Sequence, residues 1–182
     1  MEILNNNSTR SNQPISDIKL WNHQLAMLDK CKRIETFNKY GIMSDSAGSG
    51  KTYVILALLQ ESIQNNPKQT NLIVVPHNIY KQWTDAINLF FNKSPIKFSS
   101  FIEYSDIIDL YHDASKLTKS QLILTTTIYY TQILTSLCGV DNNKKIERII
   151  FDEIDFVNNT ISSINSKLKN TSIYSNISDA QK

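Results

Sequence analysis

One stretch narrows the choice of folds more than any other. Ser44-Asp45-Ser46-Ala47-Gly48-Ser49-Gly50-Lys51-Thr52 stands between the short apolar run Gly41-Ile42-Met43 and an apolar segment over 53–59. An apolar run, a glycine-rich bend and a helical pattern in that order are what a phosphate-binding loop requires. Glycines at 48 and 50 let the backbone curl so that successive N–H groups point at one anion, and the helix that follows adds unpaired donors at its first turn. Lys51 supplies a mobile charge for the β- and γ-phosphates of a nucleotide, and Thr52 can place a hydroxyl on magnesium. Asp45 stands where the usual pattern has glycine, so the loop is a variant.

A loop of this kind gives binding; a reaction needs acids near it. Ile149-Ile150-Phe151 is an apolar run that ends in Asp152-Glu153-Ile154-Asp155. A strand ending there delivers both carboxylates to the carboxyl edge of a parallel sheet, the same edge that carries the loop. On an exposed turn, paired acids mean solubility; after a buried strand and a phosphate loop, they read as holders of a metal and a water.

Composition sets the outer bounds. At 182 residues the chain has room for one domain with a real core. A formal charge of +2, from 19 Lys+Arg against 17 Asp+Glu, neither demands nor excludes nucleic acid. Cys31 and Cys138 lie far apart without metal-ligand spacing and read as thiols in a reducing compartment. No apolar stretch reaches membrane-spanning length, and the Asn-rich start does not look like a signal peptide, so no membrane partner and an intracellular, soluble chain are expected.

Along the chain, residues 1–15 are polar and read as a flexible lead-in. Over 17–36, Ile18, Trp21, Leu25, Leu28 and Cys31 recur at helical spacing. His23 and Gln24 fall on the solvated side of that helix, although the Gln24 amide could also read an adenine edge. A strand over 40–44, a helix over 51–64, a strand over 71–75 stopped by Pro76, and a helix from about 78 with Ile79, Trp83, Ile87 and Phe90 or Phe91 inward follow. This is the βαβ grammar of an open parallel sheet. Further on come a strand over 96–99 and a helix over 105–117 with Ile108, Leu110 and Tyr111 inward and Asp106, Asp109 and Asp113 solvated. A strand over 121–125, a helix over 128–137 capped by Gly139, and the acid-bearing strand over 146–151 complete the pattern. Beyond 156 apolar residues thin out; a short helix over 161–169 is expected, and no further strand.

Taken together, these residues resemble the first RecA-like domain of superfamily 2 helicases and translocases. The branch looked most like is that of chromatin remodellers and the related transcription ATPases of large DNA viruses. In that branch an acid commonly opens the loop, as Asp45 does. Leu72-Ile73-Val74-Val75-Pro76 through Gln82-Trp83 is similar to its next motif, Thr125-Thr126-Thr127 to its strand-end threonines, and Asp152-Glu153-Ile154-Asp155 to its DEAH-type box. The resemblance covers residues 20–165. It implies a three-layer α/β/α RecA-like P-loop NTPase domain with a mostly parallel sheet over 16–175, between the lead-in and a polar end over 176–182.

The resemblance also implies roles. ATP and magnesium are the expected cofactors. Gln24 and the loop residues Asp45, Ser46, Ala47, Gly48, Ser49, Gly50, Lys51 and Thr52 would hold the nucleotide, with Thr52 and Asp152 on the metal and Lys51, Asp152 and Glu153 carrying the chemistry. Pro76, His77, Asn78, Thr125, Thr126 and Thr127 would lie along a nucleic-acid backbone, where hydroxyls, amides and helix-start N–H groups suit phosphates without sequence preference. The other reading of the threonines is that they cap a helix. Expected partners are nucleic acid, with duplex DNA foremost, a second RecA-like domain in cis or in trans, and transcription or replication proteins. The corresponding compartment is a nucleus, a host cytoplasm or a virion.

Length is the departure from the family pattern. The family works with two RecA-like domains, the second bringing arginines to the ATP, and the Ser-Ala-Thr coupling motif is matched poorly by Ile177-Ser178-Asp179-Ala180. Two readings therefore stand: an ATP-binding helicase or translocase domain incomplete alone, or a non-enzymatic ATP-binding or docking module of a viral or transcription complex.

Overall fold

The computed structural model describes residues 4–5, 7–38, 40–140, 146–153 and 172–176. Six strands form one sheet with every pair parallel: β1 (Tyr40–Met43), β2 (Thr70–Val75), β3 (Phe98–Phe101), β4 (Leu122–Thr126), β5 (Ile146–Phe151) and β6 (Ser172–Asn176), in the spatial order β1-β6-β5-β2-β4-β3. The helices are α1 (Asn22–Phe37), α2 (Lys51–Asn65), α3 (Tyr80–Phe90), α4 (Tyr104–His112), α5 (Ser115–Lys119) and α6 (Tyr130–Val140).

Strand alternation divides the core in two. Ile73 and Val75 of β2, Leu122 and Leu124 of β4, and Ile150 of β5 face α1, α2 and α3. Leu72 and Val74, Ile123, and Ile149 and Phe151 face α4, α5 and α6. Side chains pointing alternately to opposite faces, both of them covered, explain why β2, β4 and β5 read as unbroken apolar runs. The outcome is the expected α/β/α sandwich around a parallel sheet.

Several local expectations change. β6 was not expected, yet it lies inside the sheet, second from one edge between β1 and β5, with Tyr174 opposite Gly41 on one side and Ile150 on the other. The helix expected over 105–117 is two helices, because the Asp113 carboxylate accepts hydrogen bonds from the Ser115 N–H and hydroxyl and turns the chain there. Leu110 is inward as expected, but its inward companion is Ile107, while Ile108 and Tyr111 are exposed. Asp106 is not a solvated acid; it accepts from the N–H groups of Ile102 and Glu103 and caps α4. Gly139 lies within α6 and does not end it.

The lead-in is tied down in places. Gln60, buried in α2, exchanges two hydrogen bonds with the Ile15 backbone, and the Ser11 N–H bonds the Leu25 carbonyl. The expected helix over 161–169, Asp155 and the stretch 177–180 lie outside the described residues.

Candidate functional site

Because all strands run the same way, the ends of β1 and β5 share one edge of the sheet, separated only by β6. The loop leaves β1 and turns into α2 at Gly50. Gly48 and Gly50 take φ of 78° and 79°, a left-handed conformation that a side chain would oppose. Ala47 and Gly48 are exposed, while Lys51 and Thr52, the first residues of α2, are half-buried. The Lys51 ammonium donates to the carbonyls of Asp45 at 2.5 Å and Ser46 at 3.0 Å, so its charge is folded over the bend.

Asp152 and Glu153 follow β5 directly. The Asp152 N–H donates to the Val74 carbonyl at 3.0 Å, extending the ladder between β5 and β2 one step past the strand. Its carboxylate accepts from the Trp83 indole N–H at 2.7 Å. Glu153 has φ of 54° and is, among the described residues, the only non-glycine at positive φ. Such strain is held in place by surrounding structure and collects where a side chain must be aimed.

These parts meet. A cavity of about 740 Å³ is lined by Ala47, Gly48, Gly50, Lys51, Thr52, Asp152 and Glu153 together. Its remaining wall comes largely from α3, through Lys81, Gln82, Asp85 and Leu89. Of that wall, only Gln82 belonged to a motif visible beforehand, and the other residues carry no signal apart from their position on the helix.

Gln24 is not on a solvated face. It is buried behind the loop, accepts from the Trp21 N–H at 2.8 Å and donates to the Ser49 carbonyl at 3.0 Å, and it does not line the cavity. Trp21, expected inward, is exposed, because the helix begins at Asn22 and leaves it at the cap.

The edge residues expected to meet nucleic acid divide. His77 and Asn78 are exposed in the short turn of helix ahead of α3, and Pro76 is buried. Thr125 and Thr126 are fully buried in β4, with the Thr125 hydroxyl donating to the Phe101 carbonyl. Their side chains are thus removed from a surface role, since β4 is an interior strand covered on both faces. Thr127 is half-buried and its N–H bonds the Val75 carbonyl.

The sequence profile of the SNF2-related domain matches residues 19–176. The chain belongs to the SNF2-related domain family. Membership in this family bears out the recognition expected from the sequence, a superfamily 2 domain, without fixing the branch. Among solved structures, the chain is similar to the SWI2/SNF2 ATPase core of Sulfolobus solfataricus, determined in complex with double-stranded DNA. The TM-score is 0.66 at 19% identity, over 93% of this chain and 34% of that one. It is also similar to a nuclease-deletion mutant of the type ISP restriction-modification enzyme LlaGI, determined with a DNA substrate mimic, with TM-score 0.60, 15% identity and coverage of 88% and 17%. The SNF2-related domain thus spans about a third of the first chain and a sixth of the second. No match is found among curated proteins. Among the described residues no helix is long and apolar enough to cross a membrane.

Proposed function

We propose that this SNF2-related domain binds ATP with magnesium and, with a second RecA-like domain in cis or in trans, couples ATP hydrolysis to binding or movement along duplex DNA. The observation that carries the reading is the shared cavity, which Lys51 and Thr52 at the start of α2 line together with Asp152 and Glu153 just past β5. Two of the solved chains that it resembles were determined with DNA or a DNA mimic, which supports DNA as the partner.

The donor set suits these cofactors. Left-handed glycines at 48 and 50 open a backbone cradle for phosphate oxygens, and Lys51 would exchange its two carbonyl acceptors for them. Magnesium takes one or two protein oxygens and completes its shell with phosphates and water. Thr52 and Asp152 would provide the protein oxygens. Bound magnesium would supply charge neutralisation on the phosphates. Glu153 would orient and polarise the attacking water, its strained backbone fixing the direction of the carboxylate. His77, Asn78 and Thr127 would contact the DNA backbone on the same sheet edge.

The reading is tested by measuring ATP hydrolysis with and without duplex DNA, for the chain alone and with a supplied second RecA-like domain. Stimulation by DNA in the assembled pair is expected. Turnover indifferent to DNA in both preparations would overturn the translocase reading.

A further inference from the structure

We infer that Trp83 is a positioning residue for the metal-binding carboxylate, its indole N–H fixing the Asp152 side chain before any ion arrives. The inference rests on the proposed function above, because it assigns Asp152 to magnesium.

Trp83 sits one turn into α3 and is 2% exposed, packed in the layer formed by α1, α2 and α3. An indole N–H has one hydrogen to donate and accepts nothing. A buried tryptophan needs one acceptor, and a backbone carbonyl is the ordinary choice. Here the acceptor is Oδ2 of a carboxylate at the cavity, 2.7 Å away and 69 residues distant in sequence. Hydrogen bonds to an ionised acceptor are shorter and stronger than neutral ones. One oxygen of Asp152 is thereby held against the core, which restricts where the other can point. Close packing denies the ring another position.

Backbone and side chain of Asp152 are fixed independently. The N–H bond to the Val74 carbonyl anchors the main chain to β2, and the Trp83 bond anchors the carboxylate to α3. A ligand held in this way loses little freedom when a metal binds, and removal of such supporting contacts typically lowers metal affinity by about 10- to 100-fold. The same bond ties the Asp152 carboxylate to the helix that directly follows the exposed His77-Asn78 turn.

The chain has two tryptophans, so the indole resonance of Trp83 is assigned by its persistence in Trp21→Phe. In the wild-type chain with ADP, that resonance is expected to shift on adding magnesium and to stay in place when ADP is added with a chelator. In Trp83→Phe, calorimetry is expected to show magnesium-dependent ADP affinity reduced about tenfold, with metal-free ADP affinity within about twofold of wild type. Replacing Trp83 with 3-benzothienylalanine, which keeps the ring shape and lacks the N–H, is expected to reproduce the loss. An indole resonance unmoved while magnesium and ADP bind, or undiminished magnesium dependence in the benzothienyl protein, would overturn this inference alone. Failure of the wild-type chain to bind ADP with magnesium would overturn it together with the proposed function.

Discussion

A β-carbon placed on Gly50 would stand 2.0 Å from Gln24 Nε2. The glutamine that braces the loop and the glycine that turns it into α2 therefore constrain each other. Gly50→Ala meets both the left-handed φ, at roughly 1–3 kcal/mol, and this collision. The expected result is a lowered melting temperature and an ATP affinity reduced at least about tenfold. In Gln24→Ala/Gly50→Ala the collision is absent, so the loss of stability should be smaller than the sum of the single changes. Thermal unfolding of the four proteins measures this, and strict additivity would contradict it.

Arg148 and Glu35 form a two-pronged ion pair, with Nε and Nη2 each 2.6 Å from a carboxylate oxygen and side chains only 9% and 16% exposed. The pair fastens α1 to the middle of the sheet. Removing one partner leaves a buried charge, so Glu35→Leu should cost about 3–5 kcal/mol in denaturant unfolding. Glu35→Leu/Arg148→Met should recover most of that loss.

Burial, with the Glu35 charge adding to it, pushes the Cys31 thiol up to about 12 from 9.0. The folded state therefore holds this proton more tightly than the unfolded chain, and the stability it contributes is lost as pH rises from 9.0 towards 12. Asp29 is held low, chiefly by the Thr9 hydroxyl and then by Arg33; Asp17 is held low by Lys93 and Asn92, and Asp113 by the Ser115 N–H and hydroxyl. Stability from these carboxylates is present above 3.8 and lost as pH falls below it. Unfolding midpoints should be level between the two windows and fall outside them. At pH 8 a thiol reagent should modify Cys31 in the folded chain far more slowly than in denaturant.

Glu153→Gln keeps side-chain size and removes the carboxylate proposed to polarise the attacking water. Hydrolysis by the DNA-stimulated assembly should fall about 10²- to 10⁴-fold, with ATP affinity within a few-fold of wild type. Single-turnover hydrolysis and calorimetry separate the two effects.

What could be read in advance follows the physics of each segment. The placement of the loop and of the acids after β5 was legible because a glycine-rich bend between an apolar run and a helix, and paired acids closing an apolar run, mark the carboxyl edge of a parallel sheet. β2, β4 and β5 were legible because burial on both faces demands apolar runs. β6 was not: Ser172-Ile173-Tyr174-Ser175-Asn176 has neither a run nor a clean alternation, and its place is set by neighbours 24 and more residues away. The inward face of α4 was read correctly at Leu110 and missed at Ile107, because apolar residues occupy 107, 108, 110 and 111, which allows two faces, and the apolar layer that includes Phe101, Leu117 and Ile123 takes Ile107 and Leu110. The brace formed by Gln24 was illegible because its partners are backbone groups, which carry no residue signature.

The central claim is that the bend over 45–52 and the acids at 152 and 153 grip one magnesium-bound triphosphate. Calorimetric titration of the chain with ATP, with magnesium and with a chelator, tests it when repeated on Lys51→Ala and Asp152→Ala. Tight binding in the wild-type chain, lost in Lys51→Ala under both conditions and insensitive to magnesium in Asp152→Ala, is the predicted result. Binding unchanged in Lys51→Ala, or equally magnesium-dependent in Asp152→Ala, would contradict it.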